Sequence, residues 1–386
     1  MSLKDSSTKS VPFQFTGDSL EYFRIWIVNL VLTILTLGIY SAWAKVRTNR
    51  YFYGNTLVHG SAFNYTADPV KILRGRIFAV VLFIIYQAFI RFYPVVAGYI
   101  LIVFVLFLPF IYVMNMAFKM RYTTWRGINF NFYRDYRIAY LVFAPIIIYI
   151  VLVSLAPLII GLNEEVLLEP TENADEFSSE MATYLVFVSG VAIVGMFCFP
   201  LWQKFYYQFI GNRASYGNAS FSFSVSSWKF YKIYLVAFFM IVGGMLLYAL
   251  FIGLSLNYFA ESLTLNRFTF TLLPLILILI PYLLAFSYIQ TRLTNVIYSN
   301  LRLEDICFES KLSFVKMTVL YITNTLAILV SIGLAIPWTK IRMARYRADN
   351  MYVLSDTLEE FVAVHNEDIN AGADAFSDIF DLDIGL

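Results

Sequence analysis

Asn29-Leu-Val-Leu-Thr-Ile-Leu-Thr-Leu-Gly38-Ile-Tyr-Ser-Ala-Trp43-Ala-Lys45-Val-Arg47-Thr-Asn-Arg50-Tyr51 passes from an apolar stretch, through a glycine, into a basic and aromatic one. The same succession returns without a gap near the other end of the chain. There it reads Asn324-Thr-Leu-Ala-Ile-Leu-Val-Ser-Ile-Gly333-Leu-Ala-Ile-Pro-Trp338-Thr-Lys340-Ile-Arg342-Met-Ala-Arg345-Tyr346. Asn, Gly, Trp, Lys, both Arg and Tyr coincide. These residues are uncommon inside apolar sequence, so chance likeness between two membrane helices accounts for them poorly. The chain carries an internal repeat, and each copy joins an apolar segment to a cationic, aromatic end.

Outward from these copies the sequence is dominated by long uncharged runs at 25–44, 92–118, 138–163, 181–203, 233–260, 268–291 and 317–339. Each is near or above the roughly 20 residues that carry a helix across a bilayer. A shorter run, 77–90, ends at Arg91, whose stem can reach back to the interface. The 386 residues are 60% hydrophobic and 14% charged, against about 45–50% and about 25% in soluble domains. A soluble core would need several buried helices with no polar face. The expected fold class is therefore all-α: a polytopic helical membrane protein. The first 24 residues are polar, so no cleavable signal peptide is expected.

Shorter echoes of the repeat lie between the two ends. Asn49-Arg50 to Asn55 returns as Asn212-Arg213 to Asn218, and Trp202-Gln-Lys204 stands before the second as Trp43-Ala-Lys45 does before the first. An aromatic pair or a single Phe follows each basic loop: Phe63/Tyr65, Phe130/Phe132, Phe221/Phe223 and Phe308, with Phe13/Phe15 opening the chain. Lys and Arg concentrate in 43–76, 118–137, 203–232 and 292–316, whereas 163–180 carries acids and no base. By the positive-inside tendency the basic loops face the cytoplasm and 163–180 faces outward. Three hairpins of spans satisfy this, but the two matched ends do not. A single crossing at 316–338 would put Lys340, Arg342, Arg345 and Arg347 outside. Two topologies stay open: six full spans with two terminal segments that dip in and return, broken at Gly38 and Gly333, or eight spans. Domain boundaries follow as 1–23, a cytoplasmic segment; 24–347, the membrane domain; and 348–386, an acidic tail expected to dock on the basic loops or to stay solvated.

The Trp-x-Lys-x-Arg-x-x-Arg-Tyr element, the Thr36-Leu37-Gly38-Ile39-Tyr40 turn before it, the Phe13-Gln-Phe15-Thr-Gly17 start and the Phe380-Asp-Leu-Asp-Ile-Gly-Leu386 ending together resemble the YjgN-type family of bacterial inner-membrane proteins. The resemblance covers essentially the whole chain. It implies an inner-membrane location and no activity, since that family is one of unknown function.

No residues converge as catalysis requires. His59 and His365 flank no metal pattern, Cys198 and Cys307 are isolated, and no nucleotide-binding or hydrolase motif occurs. Neither an enzyme nor a metal, a cofactor or a nucleic-acid partner is expected. Two places carry candidate chemistry. Asn29 and Asn324 form a polar pair within apolar sequence, read either as helix-to-helix hydrogen bonding or as the lining of a central site. Trp43, Lys45, Arg47 and Arg50, with Trp338, Lys340, Arg342 and Arg345, read either as interface anchors or as sites for an anionic lipid headgroup or phosphate. The function expected is a transporter-like or lipid-handling protein for an uncharged or amphipathic solute; the alternative is a scaffold recruiting partners through its loops and tail.

Overall fold

A computed structural model describes residues 10–160, 179–259 and 267–355, together with 359, 361 and 362. The acidic loop 163–178 and most of the tail lie outside the described residues. Along the chain, β1 is Ser10–Phe15, α1 Ser19–Leu35, α2 Ser41–Gly54, β2 Thr56–Val58, β3 Ser61–Tyr65, α3 Pro69–Phe92 and α4 Pro94–Arg121. Next come β4 Thr123–Trp125, β5 Ile128–Phe132, α5 Tyr136–Ile160, α6 Ser179–Arg213, β6 Ala214–Tyr216, β7 Ala219–Phe223 and α7 Ser227–Phe259. The last are α8 Arg267–Tyr298, β8 Leu301–Leu303, β9 Ile306–Ser310, α9 Phe314–Val330, α10 Ile336–Asp349 and β10 Met351–Leu354.

The protein is not all-α. The basic, aromatic loops are four β-hairpins, and their eight strands close with β1 and β10 into an antiparallel barrel in the order β1-β10-β9-β8-β7-β6-β5-β4-β3-β2. Local chemistry accounts for the hairpins. A three-residue strand meets a two-residue turn and then a five-residue strand in β2–β3 and β4–β5. His59 and Gly60 (φ +49° and +74°), like Arg126 and Gly127 (φ +50° and +84°), take the paired left-handed conformations that suit a two-residue hairpin. In β5 and β7 the residues alternate between covered and exposed. The repeated Phe-x-Phe is thus a period-two strand signal. Phe13 stacks on Phe63 and Phe130 on Phe221, with ring centroids 6.5 and 6.4 Å apart.

The described chain falls into two compact units. One takes in the segment ending at Gly38, Arg47–Asn64 and Ser222 onward; the other takes in Ile39–Val46 and Tyr65–Phe221. In the second, α3 packs on α4, α4 on α5 and α5 on α6; in the first, α7 packs on α8, α8 on α9 and α1 on α10. Five helices among the described residues are long and apolar enough to span a membrane, within α3, α4, α5, α6 and α7. This replaces both expected counts, six full spans with two dipping segments and eight spans. Only 6 to 22% of each apolar window is buried inside the protein, so the rest needs acyl chains as its solvent.

Neither matched end continues as one long helix. Helices α1 and α9 have 17 residues each, and α2 and α10 have 14 each. The break comes at Leu37–Gly38 (φ +49° and +92°) and at Ile332–Gly333 (φ +50° and +89°). At both, the glycine N–H reaches back five residues, from Gly38 to the Thr33 carbonyl and from Gly333 to the Ile328 carbonyl, at 2.8 Å each. That bond closes a Schellman-type end. A left-handed Leu or Ile is costly, about 1–2 kcal/mol, and Leu37 and Ile332 are 95% and 93% exposed. In each case the chain returns to its start. The Asp18 N–H donates to Tyr51 Oη at 2.8 Å, and the Ser313 N–H donates to Tyr346 Oη at 2.9 Å.

Tyr51 also packs against Tyr22, Phe15 and Ile341. Burial, with the nearby Glu21 charge adding to it, pushes its phenol from 10.0 up to about 12. A raised acid pKa favours the neutral form in the fold. Its contribution is therefore complete below about pH 10 and is lost as pH rises towards 12. The gap in melting temperature between wild type and Tyr51→Phe should shrink over that window. A gap independent of pH would refute the assignment.

Candidate functional site

Helical geometry divides the repeated basic motif. At 100° per residue, Trp338, Arg342 and Arg345 share one face of α10, and Lys340 falls on the opposite face. Trp43, Arg47 and Arg50 are likewise separated from Lys45 on α2. Four residues adjacent in sequence are therefore not one cluster.

On the shared face of α10, the Arg342 guanidinium lies 5.1 Å from the Trp338 ring. Its Nη1 donates to Thr323 Oγ1 at 2.7 Å and to Asn324 Oδ1 at 3.2 Å, both on α9. Arg345 Nη2 donates to the Gly17 carbonyl at 3.0 Å, which fixes α10 against the start of α1. Lys340 is exposed. The structure thus brings Trp338, Arg342 and Asn324 together and sets Lys340 apart. In the N-terminal copy, Trp43 stacks on Tyr40 at 6.1 Å, and Arg47 and Arg50 are exposed.

Asn29 and Asn324 are both buried, at 5% and 7% exposure, but their surroundings differ. Asn324 holds Arg342, whereas neither amide atom of Asn29 has a hydrogen-bond partner among the described residues. No hydrogen bond joins the two. Replacing a buried polar group without a partner removes a desolvation cost, and replacing the acceptor of a charged donor leaves that donor short, each by about 1–3 kcal/mol. Asn29→Leu should therefore raise the melting temperature in detergent and Asn324→Leu should lower it. Shifts of the same sign would contradict the described pairing.

Sequence reasoning missed Thr323, the second acceptor for Arg342, because only the fold of α9 onto α10 brings them together. It also missed the surroundings of Lys45, on a half-buried face of α2. Burial holds the Lys45 ammonium below the usual lysine range, and the charges of Arg76 and Lys119 add to this. Cys198 is exposed and Cys307 partly covered, and both are free.

These features define a multi-pass membrane protein with a β-barrel among its helices and with an arginine–tryptophan pair on one of its short returning helices. The chain belongs to the DUF898 family of bacterial proteins of unknown function, whose model matches residues 10–379. It is 26% identical over 366 residues to the inner membrane protein YjgN of Salmonella typhimurium strain LT2, covering 89% of this chain and 88% of that one. With the inner membrane protein YjgN of Escherichia coli K12 it shares 25% identity over 394 residues, covering 95% and 94%. The resemblance read from the repeated motif and the two chain ends is borne out. No solved structure gives a significant match.

Proposed function

We propose that the protein is a lipid-handling, transporter-like component of the bacterial inner membrane, binding an amphipathic molecule along α9 and α10. The anionic head lies on the Arg342–Trp338 face and the apolar part runs along α9. The observation that carries this reading is the pairing of Arg342. Its partners are two neutral oxygens and an aromatic ring, and no carboxylate joins it among the described residues. On α9, Val319, Leu326, Leu329 and Val330 are exposed. A guanidinium forks onto phosphate or carboxylate oxygens, and exposed apolar side chains suit an acyl chain.

Two further points support the reading. Helix, three-residue strand, five-residue strand and helix follow one another four times along the chain, and repeated elements frame many transporter folds. The basic residues of these loops suit the cytoplasmic side.

The test is the lipid retained by purified protein, counted by mass spectrometry. Arg342→Ala should lose anionic lipid severalfold, with Arg342→Lys intermediate. A protein that serves only as a scaffold predicts equal lipid in all three. Unchanged lipid in Arg342→Ala, in protein that still melts cooperatively, would sink the proposal.

A further inference from the structure

We propose that Lys45, Arg76 and Lys119, gathered from α2, α3 and α4 beside Ser41, form a binding site for a phosphate-bearing group at the membrane border. The site lies on other residues than Arg342 and does not rest on that reading.

Three observations carry it. The first is proximity. Arg76 Nη1 donates to Ser41 Oγ at the start of α2, and the Arg76 and Lys119 charges both act on Lys45. Lys45 and Arg76 are half-buried and Lys119 is exposed; like charges placed together repel unless an anion joins them, the more so where water is partly excluded.

The second is charge balance. Among the described side chains of this unit the carboxylates are Asp68 and Asp135. Asp68 accepts from the Val70 N–H at 2.9 Å and caps α3. Asp135 pairs with Arg213 at 2.7 Å. Neither is left to neutralise the three cations.

The third is depth. Immediately after Arg76, α3 turns apolar and outward, with Ile77 and Phe78 exposed by 53% and 58%. Lys119 closes the apolar run of α4, where Leu106, Phe107 and Phe110 are exposed. Two residues before Lys45 stands the stacked Tyr40–Trp43 pair, of the kind that settles at headgroup level. All three cations thus stand where the lipid-facing surface of their helices gives way to polar sequence. A phosphate there meets a planar fork from Arg76, two ammonium groups and the Ser41 hydroxyl. A lipid headgroup and free phosphate share this chemistry.

The experiment uses the full chain in a maltoside detergent, which carries no phosphate. Its melting temperature is followed while short-chain phosphatidylglycerol is added in one arm and inorganic phosphate in the other. A saturable rise is expected with the lipid. Half-saturation should weaken about tenfold or more in Arg76→Gln and Lys119→Gln, and stay unchanged in Lys340→Gln. Without ligand, Lys45→Gln should melt above wild type, because it relieves the repulsion. That readout survives even where a second variant fails to fold. If inorganic phosphate alone reproduces the full rise, the site stands and its ligand is the free anion. If neither ligand shifts the melt, or if the Arg76 and Lys119 variants titrate like wild type, the proposal falls.

Discussion

Leucine at position 244 should force α7 and α8 apart and remove most of the folded protein from the membrane fraction. A Cβ on Gly244 would stand 2.4 Å from Cγ and 2.5 Å from Cβ of Pro281 on α8. Real carbon atoms do not approach so closely, and a proline ring cannot rotate aside. In a bilayer the hydrophobic effect does not hold helices together, so close packing at small residues is a main source of cohesion. Overpacking typically costs about 1–3 kcal/mol, and this contact belongs at the upper end because its partner is rigid. The neighbouring glycine supplies the control. A Cβ on Gly243 meets nothing within 4 Å, and a helical glycine is about 1 kcal/mol worse than alanine. Gly243→Ala should therefore melt at or slightly above wild type while Gly244→Leu fails. Equal melting of the two variants, read from detergent-solubilised protein, would overturn this account of α7 on α8.

The second large effect is expected on the barrel strand β6. Tyr216 is 1% exposed. Its ring lies 5.0 Å from Phe130 and 5.8 Å from Trp125, and its hydroxyl donates to the Trp125 carbonyl at 3.0 Å. Truncation to alanine loses the buried ring and opens a cavity, at about 3–5 kcal/mol. Tyr216→Phe keeps the ring and loses the hydroxyl, at about 1 kcal/mol. Thermal melts of the two variants separate packing from hydrogen bonding. A tyrosine held mainly by its hydroxyl would show nearly equal losses.

The apolar helices were legible in the sequence because a run of some twenty uncharged residues suits little besides the interior of a bilayer. The matched ends were also legible, since Gly38 and Gly333 sit where the backbone turns left-handed. The barrel was present in the letters but overlooked. A three-residue strand, a His59-Gly60 or Arg126-Gly127 turn and a Phe-x-Phe strand together span ten residues, and a twenty-residue hydropathy window averages them into polar loop. Read at period two, Ile128-Asn-Phe130-Asn-Phe132 is a strand. The sites were legible only in part. Arg342 stood in a visible motif, but its separation from Lys340 follows from the helical turn. Arg76 and Lys119 read as topology charges until folding set them beside Lys45, and no local pattern signals a contact made across so many residues of chain.

Strands β1 and β10 pair antiparallel, Val11 opposite Val353. The first strand made by the ribosome therefore waits for the last. While the helices between them enter the bilayer, β1 has β2 on one side and an open edge on the other. A chain released early, anywhere short of Met351, keeps that edge open and offers its unpaired amides to whatever strand is near. Closure of the sheet thus waits until the chain has been made through Leu354, and a quality-control protease that engages exposed strand edges meets an open seam on any chain that stops short of it.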